Sequence, residues 1–201
     1  MPRIFINPGH GCSYEYNSDS KYPYGLYAEG NDIQNIQIPD QWDDPGACSN
    51  GLQEAERCLI IGKLVAKYLT AVGYDCILFQ YDGLGTICYK ENSLNPDVFV
   101  SIHCNAAESI QAQGTETYHY YNATAGKKLA TTIYNQIVNN IDITRRGVRE
   151  ANFAVIKNTH APACLVETAF ITNAYDANLL RNNYDDFAKC IARGISDYFV
   201  K

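Results

Sequence analysis

Four ionisable side chains stand where chemistry could be done. His10 follows "IFINPG", His103 follows "VFVSI", and Glu167 follows "ACLV". The fourth, Glu54, sits in the first turn of a helix-like stretch beginning "LQEAERCLI". Two histidines and one carboxylate are a ligand set for a catalytic zinc whose fourth position stays open for water. A remaining carboxylate beside such a metal can act as the general base of a hydrolase. Each residue also has a plainer role open to it. A histidine at a strand tip often serves only structure, Glu54 or its neighbour Glu56 could complement a helix dipole, and Glu167 could be an acid outside the ligand shell.

Whether the four meet depends on the elements that carry them. "RIFINP" (3–8) reads as a short strand broken at Pro8–Gly9. A polar, Tyr- and Gly-rich segment follows over roughly 11–51, long for a loop inside a compact domain. From 52 to 72, apolar residues recur at helical spacing (Leu52, Ala55, Leu59, Leu69), and Gly73 is placed to end the helix. "YDCILFQ" and "DVFVSI" read as strands with an irregular stretch between them, and "GTETYHYY" (114–121) alternates like another. A second amphipathic helix covers 123–141. Short strands are expected at "FAVI" (153–156) and "ACLVE" (163–167), and helices near 174–181 and 184–200 close the chain.

This alternation of strands and helices predicts one α/β domain with a mostly parallel, twisted sheet of about six strands flanked by helices. In such sheets ligands bind outside the carboxyl ends of the strands, and following helices begin on that same side. The four residues are therefore expected to converge.

Bulk properties exclude several function classes. The chain has 201 residues, 46% hydrophobic and 19% charged, with formal charge −6. A polyanion needs a basic footprint, so nucleic acid is not an expected partner. No segment approaches the ~18 apolar residues of a membrane span. No basic n-region and apolar h-region open the sequence, so the expectation is cytoplasmic residence until export or lysis, or prior removal of a signal. The eight cysteines are scattered, form no CxxC pair, and sit partly in apolar runs. They are expected to be mostly reduced thiols.

Five segments, in order, carry a resemblance: "IFINPGHG" (4–11), "DPGACSNGLQEAE" (44–56), "DVFVSIHCNA" (97–106), "GTETYHYY" (114–121) and "RGVREANFAVIKNTHAPACLVETAFITN" (146–173). The sequence resembles the zinc-dependent N-acetylmuramoyl-L-alanine amidases of the amidase type 3 (AmiC/LytC-like) family. The resemblance implies a single catalytic domain over 1–201. It also implies that His10, Glu54 and His103 bind one Zn2+, and that Glu167 is the catalytic acid/base. Glu54 is preferred to Glu56 because it directly follows "GLQ". Asn105 and Glu116 fall on recurrent positions and are expected near the ligands or the substrate.

The implied reaction is hydrolysis of the amide between N-acetylmuramic acid and L-alanine of the stem peptide, through a zinc-activated water with Glu167 as general acid/base. The alternatives are a zinc peptidase cutting within the stem peptide and a non-catalytic cell-wall-binding module. Peptidoglycan is the implied substrate and the bacterial cell wall the implied place of action, for an endolysin, an autolysin or a sporulation enzyme. An acidic domain gains no Coulombic attraction to an anionic wall, so a separate wall-binding module is expected to target it.

The sequence departs from the family in two places. A Tyr-rich insertion occupies roughly 12–43, with Tyr14, Tyr16, Tyr22, Tyr24 and Tyr27; it is expected to form a wall or lid of the substrate groove, or a flap over exposed core. Ile87 stands where the family commonly has an arginine. His119, His160 and the arginines of "RRGVRE" are read as structural or surface residues.

Overall fold

In the computed structural model, which describes residues 1–11 and 25–200, apolar runs become the middle strands of one sheet. In chain order the elements are β1 (Arg3–Pro8), β2 (Leu26–Glu29), a 3-10 turn (Gly30–Asn35), β3 (Cys48–Ser49), β4 (Leu52–Gln53), α1 (Glu54–Ala71), β5 (Asp75–Gln80), α2 (Leu84–Leu94) and β6 (Val98–Asn105). They continue with β7 (Thr115–His119), α3 (Thr124–Asn140), β8 (Arg145–Glu150), α4 (Ala154–Lys157), β9 (Ala163–Phe170), α5 (Ala174–Asn182) and α6 (Tyr184–Val200).

The main sheet has seven strands in the order β2-β5-β1-β6-β9-β7-β8, one more than the sequence led us to expect. Its four central strands, β5, β1, β6 and β9, are parallel. β2 joins β5 antiparallel at one edge, and β7 joins β9 antiparallel near the other. β3 and β4 form a separate two-residue hairpin.

Near-continuous Ile, Val and Phe in β1 and β6 reflect burial on both faces, as parallel strands require. α1, α3 and α6 cover one face over Ile4, Ile6, Leu78, Val100 and Val166. α2 and α4 cover the other over Phe5, Phe99 and Leu165. Each such buried side chain contributes about 1.5–3 kcal/mol, so register is strongly specified. α1 lies so close to β1 that a Cβ on Gly62 would sit 2.9 Å from Pro8 Cγ. It ends at Gly73, at φ +97°.

The chain crosses from β1 to β5 on one side and then back to β6 on the other. The carboxyl ends of β1 and β6 therefore flank the point where strand order reverses.

Several local expectations are corrected. "FAVI" is not a strand: Ala154–Lys157 is a short helix that buries Val155 and Ile156. The stretch between β5 and β6 is the eleven-residue helix α2. "RRGVRE", for which no element was expected, is edge strand β8. Part of the Tyr-rich segment belongs to the body of the domain: Leu26 and Ala28 of β2 and Ile33 are buried in the core, and the Tyr27 ring meets Phe79. Tyr14, Tyr16, Tyr22 and Tyr24 lie outside the described residues. So does Cys12; the other seven cysteines are free, all but Cys48 buried.

Candidate active site

β1 delivers His10 beyond its break at Pro8–Gly9. The Gly9 amide donates to Ile102 O (2.8 Å), which ties this turn to β6. His10 takes the left-handed conformation, φ 59°, unusual outside glycine. Gly11 and Asp44 exchange two backbone hydrogen bonds (2.9 and 2.8 Å), so the intervening segment leaves and returns at one place. That pairing brings Asp44 Oδ2 to 2.6 Å from His10 Nδ1, and a carboxylate so placed fixes the orientation of the ring.

Glu54 is the first residue of α1 and is buried. Its Oε1 accepts from the Cys104 amide (3.1 Å), its Oε2 from the Ala47 amide (3.0 Å). The same two oxygens face the imidazoles: His103 Nδ1 is 3.0 Å from Oε1 and His10 Nε2 is 3.1 Å from Oε2. One donor atom from each of His10, Glu54 and His103 lies within 4.8 Å of the others.

Glycines make room for this. A Cβ on Gly9 would be 2.3 Å from His103 Cε1, and one on Gly46 would be 2.6 Å from His10 Cδ2 and 2.7 Å from Glu54 Oε2. Gly46 also has φ +65°, costly for any residue with a Cβ.

Glu167 stands beside His103 in the parallel β6–β9 register and opposite Glu116 across β9–β7. Its Oε2 is buried with no hydrogen-bond partner among the described residues. All four residues singled out in the sequence are thus gathered at the carboxyl ends of β1, β6 and β9 and the start of α1. Asn105 and Glu116 are close by, joined by Asn105 Nδ2 donating to Glu116 Oε1 (2.8 Å). His119 is buried, with Nδ1 2.9 Å from Tyr120 O, and His160 is exposed; neither belongs to the His–Glu–His group. Ile87 and Val155 line a 290 Å³ cavity whose wall includes His10, His103, Asp44 and Asp82.

Electrostatics follow from this packing. Burial disfavours the charged form of His10, but hydrogen bonds and attraction from Glu54 and Asp44 outweigh it and raise its pKa to about 9. Burial likewise works against charge on Glu54, yet its bonds to the two histidines hold the carboxyl well below the usual range. Glu167 goes the other way: burial, reinforced by repulsion from Glu54 and Glu116 and opposed by His103, lifts it to about 7.

An anionic carboxylate facing two imidazole nitrogens is a donor set that a divalent cation fits. Such an ion would take the place of the protons that hold these groups together here. Asp44 and the two glycines were not singled out from sequence. "DPGA", ten residues ahead of Glu54, was the available signal for both Asp44 and Gly46.

A mostly parallel sheet that gathers two imidazoles and two carboxylates beside its topological switch point is an arrangement suited to a hydrolase. The chain belongs to the N-acetylmuramoyl-L-alanine amidase family Amidase_3, whose model matches residues 4–197. It is 36% identical over 204 residues to the N-acetylmuramoyl-L-alanine amidase LytC of Bacillus subtilis strain 168, covering 98% of this chain and 35% of LytC. It is 31% identical to the sporulation-specific N-acetylmuramoyl-L-alanine amidase of the same organism, covering 96% and 65%. The solved structure of the amidase AmiC2 of Nostoc punctiforme superposes with TM-score 0.79 at 30% identity, over 100% of this chain and 98% of that one. The chain thus spans about a third of LytC and under two thirds of the sporulation enzyme.

Proposed function

We propose that this chain is the catalytic domain of a peptidoglycan amidase that hydrolyses the bond between N-acetylmuramic acid and L-alanine, with His10, Glu54 and His103 holding one zinc ion. The observation that carries the reading is the meeting of those three donors within 4.8 Å, with Glu167 on the adjoining strand at the matching register position. The family and its named amidases support the bond assigned.

Bound zinc would supply Lewis acidity, acidifying water at its open position and polarising the scissile carbonyl. The protein's own groups do the rest. Asp44 orients the His10 ring, and the Cys104 and Ala47 amides fix the Glu54 carboxylate. Glu167 handles the proton. Its buried Oε2, without a hydrogen-bond partner among the described residues, can take one from water and return it to the departing alanine nitrogen as the C–N bond breaks. The products are a free lactyl carboxyl on muramic acid and a peptide with an L-alanine amino terminus.

The whole of 1–201 is read as this one catalytic domain. Net charge −6 offers no long-range attraction to an anionic wall, which supports a separate wall-binding module as targeting partner and the cell wall as place of action. Mass spectrometry of peptidoglycan digests tests the bond. New L-alanine amino termini that vanish with chelator are expected; trimmed stem peptides still joined to muramic acid would show a peptidase instead.

A further inference from the structure

We propose that Arg146 and Arg149, mounted on the buried carboxylate of Glu116, form a carboxylate-binding subsite for the peptide side of the substrate. The inference rests on the amidase reading and extends it to substrate selection.

Arg146 and Arg149 are three apart, so in a regular strand their side chains would point to opposite faces of the sheet. Here they do not. The β7–β8 register slips between Thr115 and Glu116, pairing Thr115 with Arg145 but Glu116 with Gly147, and Arg146 is the extra residue. Gly147, at φ +107°, absorbs the irregularity. A bulge of this kind re-aims a side chain, and both guanidinium groups now meet Glu116: Arg146 Nε at 3.2 Å from Oε1 and Arg149 Nε at 3.0 Å from Oε2.

One buried carboxylate needs one counter-charge. Glu116 has two and also accepts from Asn105, so the Arg146–Glu116–Arg149 group taken by itself has one more positive than negative charge, in a chain of net charge −6. Each arginine lies at ion-pair distance from Glu116 through its Nε, without the alignment of a hydrogen bond. Arg146 Nη1 reaches Gln113 O (3.5 Å), and Arg149 Nη2 reaches Arg146 O (3.3 Å). The other terminal NH2 of each has no hydrogen-bonding protein partner among the described residues, and the Arg149 side chain is 51% exposed. Arg146 is further steadied over the Phe170 ring, 4.8 Å from its centroid. Other acids lie near: Asp176 Oδ2 accepts from the Gly114 and Phe170 amides, Glu150 Oε1 accepts from the Asn122 amide, and Glu167 stands across from Glu116.

The position fits a peptide leaving the reaction centre. Glu116 is directly across from Glu167, and Glu167 from His103. At the usual strand spacing, Glu116 is about 10 Å from His103, the span of roughly three extended residues. Among groups that a stem peptide offers there, a carboxylate matches the guanidinium edge in shape and charge.

Calorimetric binding of two peptides to the full chain tests this without turnover. One is L-Ala-γ-D-Glu-L-Lys with an amidated C-terminus; the other also has its D-glutamate α-carboxylate amidated. The wild-type protein should bind the carboxylate form at least about tenfold more tightly. Arg149→Gln should erase the preference, and Arg149→Lys should restore part of it. Equal binding of both peptides by the wild type, or an undiminished preference in Arg149→Gln, would overturn the subsite. Thermal unfolding of each variant separates misfolding from lost recognition, and Arg146→Gln provides a second deletion of the same surplus charge. Cleavage of muramyl-linked substrate is scored separately, so failure of the amidase reading leaves this comparison intact.

Discussion

Replacing Gly9 by alanine perturbs the centre through one methyl group. The added Cβ would lie 2.3 Å from His103 Cε1, 2.4 Å from Nδ1 and 2.7 Å from Nε2. Ordinary contact begins near 3.4 Å, so the imidazole must retreat by about 1.1 Å or Gly9 must move away. The second route is obstructed, because the Gly9 amide is bonded to Ile102 O and its carbonyl accepts from Gln80 Nε2 (3.1 Å). Metal ligands tolerate errors of about 0.2 Å, so a shift several times larger should weaken zinc binding by about 10–100-fold. Overpacking should also cost about 1–3 kcal/mol of stability. Competition with a chromogenic chelator measures the first effect and urea unfolding the second. Gly85→Ala is the control: a Cβ there meets nothing within 4 Å, so zinc affinity should be unchanged. Wild-type zinc affinity in Gly9→Ala would refute the claim that Gly9 exists to seat His103.

Three further outcomes follow from the same geometry. Glu167→Gln should bind one zinc per chain and release no L-alanine-terminated peptide; turnover near the wild-type rate would remove Glu167 from the proton path. In chelator-treated protein, folding raises the Glu167 pKa from near 4.5 to about 7. The folded state thus holds the proton more tightly, and this group's contribution to stability falls as pH rises through that window. Glu167→Gln should therefore gain stability relative to wild type between pH 4.5 and 7 in urea titrations, and a constant difference would contradict the shift. Gly194→Ala drives a Cβ to 2.4 Å from Ile133 Cα where α6 crosses α3. It should lower stability by about 1–3 kcal/mol while leaving zinc affinity intact; loss of zinc binding in the folded variant would show that the α3–α6 contact and the site are not independent.

Runs such as "IFIN" and "VFVSI" declared buried parallel strands because both faces of β1 and β6 are covered, and α1 was legible from apolar residues on one face. Elements lacking such contrast were not. "LGTICYKENSL" mixes threonine, cysteine and asparagine with few apolar positions, so α2 looked irregular. "RRGVRE" is a solvated edge strand without an apolar face. "FAVI" illustrates the ambiguity of a four-residue apolar run, which suits a helix turn as well as a strand. His10, His103, Glu54 and Glu167 stood out because strand and helix ends mark the reactive edge of the sheet. Asp44 did not, since its closeness to His10 comes from the Gly11–Asp44 pairing, across more than thirty residues that carry no periodic signal. The role of Arg146 depends on a bulge, which no periodicity reveals.

The most direct test is a zinc titration of chelator-stripped protein, followed by the appearance of L-alanine amino termini from purified peptidoglycan. A centre built by His10, Glu54 and His103 predicts no cleavage at the start and full activity at one equivalent of zinc. Full activity in the stripped protein, or activity still climbing well beyond one equivalent, would contradict it.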